Sequence, residues 1–280
     1  MDLKHPFFQN MEQKRRTVLR TWTAWALKEW RRMMKYRKLG STGLLVSEIG
    51  LGCEGFAEDE CRNTKRLLDE AESQGINYFD LYASDPKVRA SVGEALRGRR
   101  EKFMIQSHVC SVWKDGQYKR TRNIDEVKAG MEEMLSLLQT DYIDVGMIHY
   151  VDSVKDWHTV AGGPVLAYVK ELKEKGVIRH IGLSSHNPEV ALEAVKSGDI
   201  EVLMFSVNPC YDLQPASEDV EELWAEKNYK EHLINMNPER QELYETCQRL
   251  GIGITVMKAF GGGDLLDEKL SPAGKALTVN

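Results

Sequence analysis

Seven apolar, β-branched runs in this chain each end at or beside a residue able to move a proton, hold an anion or bind a polar group. The runs are 48–53, 77–82, 102–109, 142–150, 178–185, 202–208 and 253–260, and the residues are Glu54, Asp80, His108, His149, His186, Asn208 and Lys258. One or two such endings would mean little, whereas seven in series describe the rim of a site. His149 closes Val145-Gly146-Met147-Ile148, and His108 follows Phe103-Met104-Ile105-Gln106-Ser107. Imidazoles titrate near neutrality and suit proton transfer, above all beside a carboxylate such as Asp80. Lys258, set between Met257 and Ala259, needs an anion or a carboxylate if it is partly buried. Gly261-Gly262-Gly263 follow the seventh run, where bare backbone N–H groups cradle phosphate, or where a loop simply turns. Asp85 stands before Pro86 and reads equally as a helix N-cap or as a catalytic group. His186 adjoins the cap residue Asn187, and His180, at the start of its run, reads as structural.

The elements that must position these residues alternate regularly. Helical patterns occupy 59–75, 87–98, 123–139, 163–176, 188–198 and 238–250 between the runs. Asn187-Pro188 and Asn237-Pro238 supply N-caps with proline at N1, and Gly75, Gly176 and Gly251 supply C-terminal stops. Ahead of them, 36–39 and 44–47 form a hairpin through Gly40-Ser41-Thr42-Gly43. This is an α/β chain with a parallel sheet. A doubly wound sheet competes with a barrel, since Gly50-Leu51-Gly52-Cys53-Glu54-Gly55 matches a dinucleotide-binding pattern. That pattern should open its helix directly, and Phe56-Ala57-Glu58-Asp59 intervene. The unbroken series predicts a TIM-type (β/α)8 barrel with about seven β/α units present, whose chemistry lies at the C-terminal strand ends.

Composition narrows the partners. The 280 residues carry a net charge of −5, with 42% hydrophobic and 29% charged residues. Residues 1–38 hold 11 Lys/Arg against 3 Asp/Glu, so the remaining chain is strongly acidic and unsuited to nucleic acid. Residues 13–33 place Val18, Leu19, Trp22, Trp25, Ala26, Trp30 and Met33 at helical spacing among arginines. We read residues 1–33 as a basic amphipathic helical extension to a module at 34–280, and a membrane surface is not an expected partner. The five cysteines have no short ligand spacing and no secretory signal is visible, so the expected compartment is the cytoplasm, with free thiols and no metal. The acidic stretch 212–236 is long enough for a lid or partner surface.

Several stretches together resemble the aldo-keto reductase superfamily. They are Tyr36-Arg37-Lys38-Leu39-Gly40-Ser41-Thr42-Gly43-Leu44, Gly75-Ile76-Asn77-Tyr78-Phe79-Asp80, Val92-Gly93-Glu94-Ala95-Leu96, Asp141-Tyr142-Ile143-Asp144 with Ile148-His149, and the run from Lys173 to Ser184. Ile105-Gln106-Ser107-His108 and Val256-Met257-Lys258 look most like bacterial members that carry a ferredoxin-like iron–sulfur tail. The resemblance implies NADPH- or NADH-dependent reduction of a small-molecule carbonyl by an Asp-Tyr-Lys-His tetrad. Position by position, the aspartate is Asp80 and the histidine His149, while Asp85 stands at the tyrosine and His108 at the lysine. Ser184 and Ser185 match the pair beside the nicotinamide carboxamide, and Asn208 stands at the usual glutamine. Met257 replaces the aromatic that stacks on the ring, and Lys258, Gly261 and Gly262 are candidates for the cofactor's anionic part. The family pattern continues past Asn280 through an eighth strand, its helix and the iron–sulfur tail.

With half the tetrad replaced, the expected mechanism has His149 polarise the carbonyl and His108, paired with Asp80, protonate it. Tyr82 and Asp85 are reserve donors. Two alternatives remain open on the residues: a metal-dependent hydrolase using Glu54, Asp80, His108, His149 and His186, and a catalytically degenerate cofactor-binding scaffold.

Overall fold

Parallel strands covered on both faces need near-continuous apolar runs, and the runs above supply them. The computed structural model describes residues 34–57, 61–208, 211–219, 236–269, 271 and 276. The expected helix within 1–33 and residues 220–235 of the acidic stretch lie outside that set. Strands β1 (Tyr36–Lys38) and β2 (Leu45–Ser47) form the antiparallel hairpin. Seven parallel strands follow: β3 (Leu51–Gly52), β4 (Tyr78–Leu81), β5 (Met104–Val109), β8 (Ile143–Ile148), β9 (Ile178–Ser185), β10 (Val202–Ser206) and β11 (Gly253–Met257). They lie side by side strictly in chain order, from β3 to β11. A doubly wound sheet reverses direction at a switch point, so this order identifies a curled (β/α) half-barrel. Among the described residues, β3 and β11 are its two edges.

Helices α1 (Thr64–Ser73), α2 (Pro86–Ala95), α3 (Ile124–Leu138), α4 (Val154–Ala161), α5 (Pro164–Glu174), α6 (Pro188–Lys196) and α7 (Pro238–Leu250) cover the outside. The caps form as the sequence predicts, with Asn187 and Asn237 accepting from Glu189 N and Glu239 N at 3.0 and 2.9 Å. Two elements were not expected. Helix α4 is started by Ser153, whose hydroxyl accepts from Asp156 N. Strands β6 (Ser111–Lys114) and β7 (Gln117–Arg120) form a second hairpin directly after β5. No described helix is long and apolar enough to cross a membrane.

Two cores result. The larger lies between strands and helices and includes Phe79, Ile105, Ile148, Leu183 and Phe205. The smaller fills the inner, N-terminal half of the sheet with Leu39, Val46, Tyr78, Val145, Met147 and Val202. Beneath β8, Asp144 accepts from Arg100 Nη2, Arg179 Nη1 and Ile105 N, each at 2.9 Å, while both guanidiniums flank the Tyr142 ring. That arrangement is what the Asp141–Asp144 motif builds, and it lies on the stability face.

The first hairpin bridges the two edge regions. Ser47 N donates to Asn77 Oδ1 at 2.7 Å before β4, and Ser41 N donates to Gly251 O at 2.7 Å before β11. Gly40 makes the second approach feasible, with φ +55° and an added Cβ meeting Gly251 O and Gly253 N at 2.3 Å. Gly40→Ala should therefore destabilise the chain by about 2–3 kcal/mol, read as a lower urea midpoint at unchanged m-value. A midpoint equal to the parent's would show that the hairpin is not clamped there.

Candidate active site

Three strand ends and the second hairpin aim four side chains into one hydrogen-bonded column. Asp80 is the third residue of β4, His108 the fifth of β5, and His149 follows β8. His108 Nε2 lies 3.1 Å from Asp80 Oδ1, and His108 Nδ1 lies 2.7 Å from His149 Nδ1. His149 Nε2 lies 2.7 Å from the Tyr118 hydroxyl, carried by β7. Both histidines are buried, at 3% and 4% exposure.

A second set of bonds fixes the direction of the protons. The Tyr78 and Thr255 hydroxyls donate to Gln106 Oε1 at 2.8 and 3.1 Å, so its amide nitrogen faces Asp80 and donates to Oδ1 at 2.6 Å. Asp80 Oδ1 is thus an acceptor, and the proton between it and His108 belongs to Nε2. With that single proton on His108, its Nδ1 accepts from His149 Nδ1–H, and His149 Nε2 accepts from Tyr118 O–H. Burial, reinforced by the neighbouring His108, holds His149 well below the ordinary histidine pKa, so its ring is neutral. Burial also raises the Tyr118 phenol, with Tyr150 and Tyr82 adding to the effect.

The column opens into a cavity of about 1110 Å³, of the size that holds a cofactor and a small substrate. Tyr82, Tyr150, Ser184, His186, Met257 and Lys258 are also in its lining. Tyr82 stacks on His149 at 5.6 Å between centroids, while Tyr118 and Tyr150 meet the same imidazole edge-on. His186 donates through Nδ1 to Asp152 Oδ2 at 2.9 Å, and its backbone N–H donates to Oδ1 at 2.6 Å. Burial alone would raise the Asp152 carboxyl, but the bonds from His186 and Ser185 bring it below the usual range.

The remaining candidates divide. Asp85 is an N-cap: its carboxylate accepts from Lys87 N at 2.8 Å, and it is absent from the cavity wall. Ser184 Oγ is buried with no partner among the described residues, whereas Ser185 Oγ donates to Asp152 Oδ1. Asn208 is tied at both ends, donating to Lys258 O and accepting from Tyr211 N. The N–H groups of Gly261 and Gly263 donate to Lys258 O and Phe260 O inside a 3-10 turn, which also contains Gly262. Those two N–H groups are spent within the turn. Direct proton transfer from His108 to substrate is also blocked, because Asp80 and His149 occupy both ring nitrogens. No group of three His, Cys, Asp or Glu among the described residues is disposed to hold a metal ion. Neither the hydrolase nor the degenerate-scaffold alternative has support.

A model of the aldo/keto reductase family matches residues 48–277. The chain is 31% identical over 189 residues to the uncharacterized oxidoreductase YqkF of Bacillus subtilis, covering 65% of this chain and 58% of that protein. It therefore spans little more than half the length of that relative. It is 32% identical over 263 residues to a second uncharacterized oxidoreductase of that bacterium, YrpG, covering 88% and 71%. Among solved structures it is similar to the holo form of the aldo-keto reductase AKR11C1 from Bacillus halodurans, with a TM-score of 0.64, 27% identity and coverage of 83% and 69%.

Proposed function

The chain belongs to the aldo/keto reductase family, and from that premise we propose that it is an oxidoreductase reducing a small-molecule carbonyl at the mouth of the half-barrel. The observation that carries this is the buried column Asp80–His108–His149–Tyr118 ending in a cavity large enough for cofactor and substrate together. Such a column can supply a proton to a group that gains charge.

A nicotinamide cofactor fits the residues present. Ser184 is 2% exposed, lines the cavity and carries a hydroxyl without a partner among the described residues, which a carboxamide would satisfy. Met257 and Lys258 line the same cavity beside the end of β11. When bound, NADPH or NADH would supply a hydride to the carbonyl carbon. The protein's own part is to hold the carbonyl against the aromatic wall of Tyr82, Tyr118 and Tyr150 and to deliver a proton to its oxygen. Free thiols at the four described cysteines favour a reducing compartment, and we place the protein in the cytoplasm.

Fluorescence titration with NADPH and with NADH should show saturable binding, followed by cofactor oxidation when aldehydes or ketones are added. Ser184→Val should weaken that binding about tenfold, the effect of losing roughly one buried hydrogen bond. A folded chain that binds neither nucleotide would remove the proposal.

A further inference from the structure

We infer that Tyr118, brought in by the hairpin inserted after β5, is the residue that protonates the substrate oxygen, and that His149, His108 and Asp80 refill it. The inference rests on carbonyl reduction as proposed above. Its ground is steric access. His108 and His149 have both ring nitrogens engaged within the column, and Asp80, which also lines the cavity, is held as an acceptor by Gln106 and His108. Tyr118, a residue 37% exposed, ends the column on the cavity wall. Its hydroxyl can turn to a substrate oxygen while its lone pair stays on His149.

The hairpin is built to hold that phenol. Lys114 Nζ, Lys119 Nζ and Thr121 Oγ1 all converge on Glu126 of α3, at 2.7, 2.8 and 2.6 Å. Arg120 Nη1 donates to Tyr150 O, and Arg122 donates to the carbonyls of both His149 and Tyr150, each at 2.9 Å. Tyr118 is therefore fixed from both sides against the strand end that carries His149, where preorganised geometry lowers the cost of transfer.

The protons balance. In the loaded column His108 carries both ring protons, with Nε2–H on Asp80 and Nδ1–H on His149. His149 then carries Nε2–H toward the Tyr118 oxygen, and Tyr118 O–H points to the substrate. As the carbon accepts the hydride, the carbonyl π pair moves to oxygen, which takes the Tyr118 proton. The phenolate takes the Nε2 proton of His149, and His149 Nδ1 takes the Nδ1 proton of His108. The column is left in the neutral tautomers described above, short of one proton. That proton returns by the same transfers reversed: the Tyr118 oxygen takes it from solvent in the cavity, Tyr118 O–H passes to His149 Nε2, and His149 Nδ1–H passes to His108 Nδ1.

Tyr118→Phe keeps the ring and removes the proton. It should lower the single-turnover rate of NADPH oxidation about 100-fold or more, while nucleotide affinity measured by titration stays within about twofold. In cofactor-free protein the 15N resonance of His149 Nε2 should move toward that of an unbonded imidazole nitrogen in the same variant. A rate within about threefold of the parent, a larger loss from Tyr82→Phe, or an unmoved Nε2 resonance would each overturn the assignment. A parent chain that binds nucleotide yet oxidises none with any carbonyl overturns the reductase proposal itself and the donor with it, and that is seen before any variant is made.

Discussion

Replacing His149 with alanine should lower kcat for carbonyl reduction about 1000-fold, within the range expected when a proton path is cut. The size follows from position. His149 is the joint of the column, bonded at 2.7 Å to His108 on one nitrogen and at 2.7 Å to Tyr118 on the other. Without it no proton moves up behind Tyr118 as its phenolate forms, and the buried His108 Nδ1 loses its partner. The second effect also costs stability, roughly 1–3 kcal/mol for an unsatisfied buried polar atom, so thermal unfolding should be recorded alongside turnover. A stability loss alone would reduce active protein without changing the rate per folded molecule. Added imidazole gives the decisive comparison. The space left by the side chain would admit it, and partial recovery of kcat at unchanged KM would mark a lost proton carrier. If the substitution raised KM and left kcat alone, His149 would be a wall of the cavity and not a link in the column.

What could be read from residue order was whatever the strand period controls. Asp80, His108 and His149 were visible because each ends an apolar run, and in a parallel barrel the end of the run is the mouth. The sequential sheet and its hairpin followed from the same alternation. Tyr118 was not visible, because Gln117-Tyr118-Lys119-Arg120 is a short polar segment whose partner, His149, lies 31 positions away. One local signal did exist: Asp115-Gly116 lies between β6 and β7, and both residues take positive φ, at 55° and 77°, as a two-residue hairpin turn requires. Asn208 shows the opposite limit. Its type suits a carboxamide partner, but its amide closes a loop by reaching Lys258 O, 50 positions along the chain. No pattern along the sequence encodes which polar groups such a loop must satisfy. At Asp85 the local geometry supplies the cap: the carboxylate turns back to Lys87 N, and Pro86 opens α2 there.

That loop gives the second large expectation, a loss of about 3–5 kcal/mol when Arg240 becomes alanine. Arg240 on α7 is 0% exposed, with Nη1 donating to Ser206 O at 3.1 Å, Nε to Gln214 O at 3.4 Å, and Asp212 Oδ1 3.7 Å away. The guanidinium also lies over the Phe205 ring at 5.0 Å. Burial drives its pKa down and that of Asp212 up, so each charge is retained against its surroundings with the help of the other. Alanine would leave a cavity, two carbonyls without their donor, and an acid whose remaining close partner is the Tyr244 hydroxyl at 2.6 Å. Methionine at the same position fills most of the volume without the charge and should cost clearly less than alanine, since buried ion pairs contribute little net stability when replaced by packing. Urea unfolding of both variants separates the two contributions. Equal losses would place the stabilisation in the bonds to Ser206 and Gln214, whereas losses below about 1 kcal/mol in both would show that the loop holds without its arginine. The loop also leads from β10 to Asn208 and hence to Lys258 on the cavity wall. In the alanine variant, nucleotide affinity should therefore weaken even at temperatures where the chain remains folded.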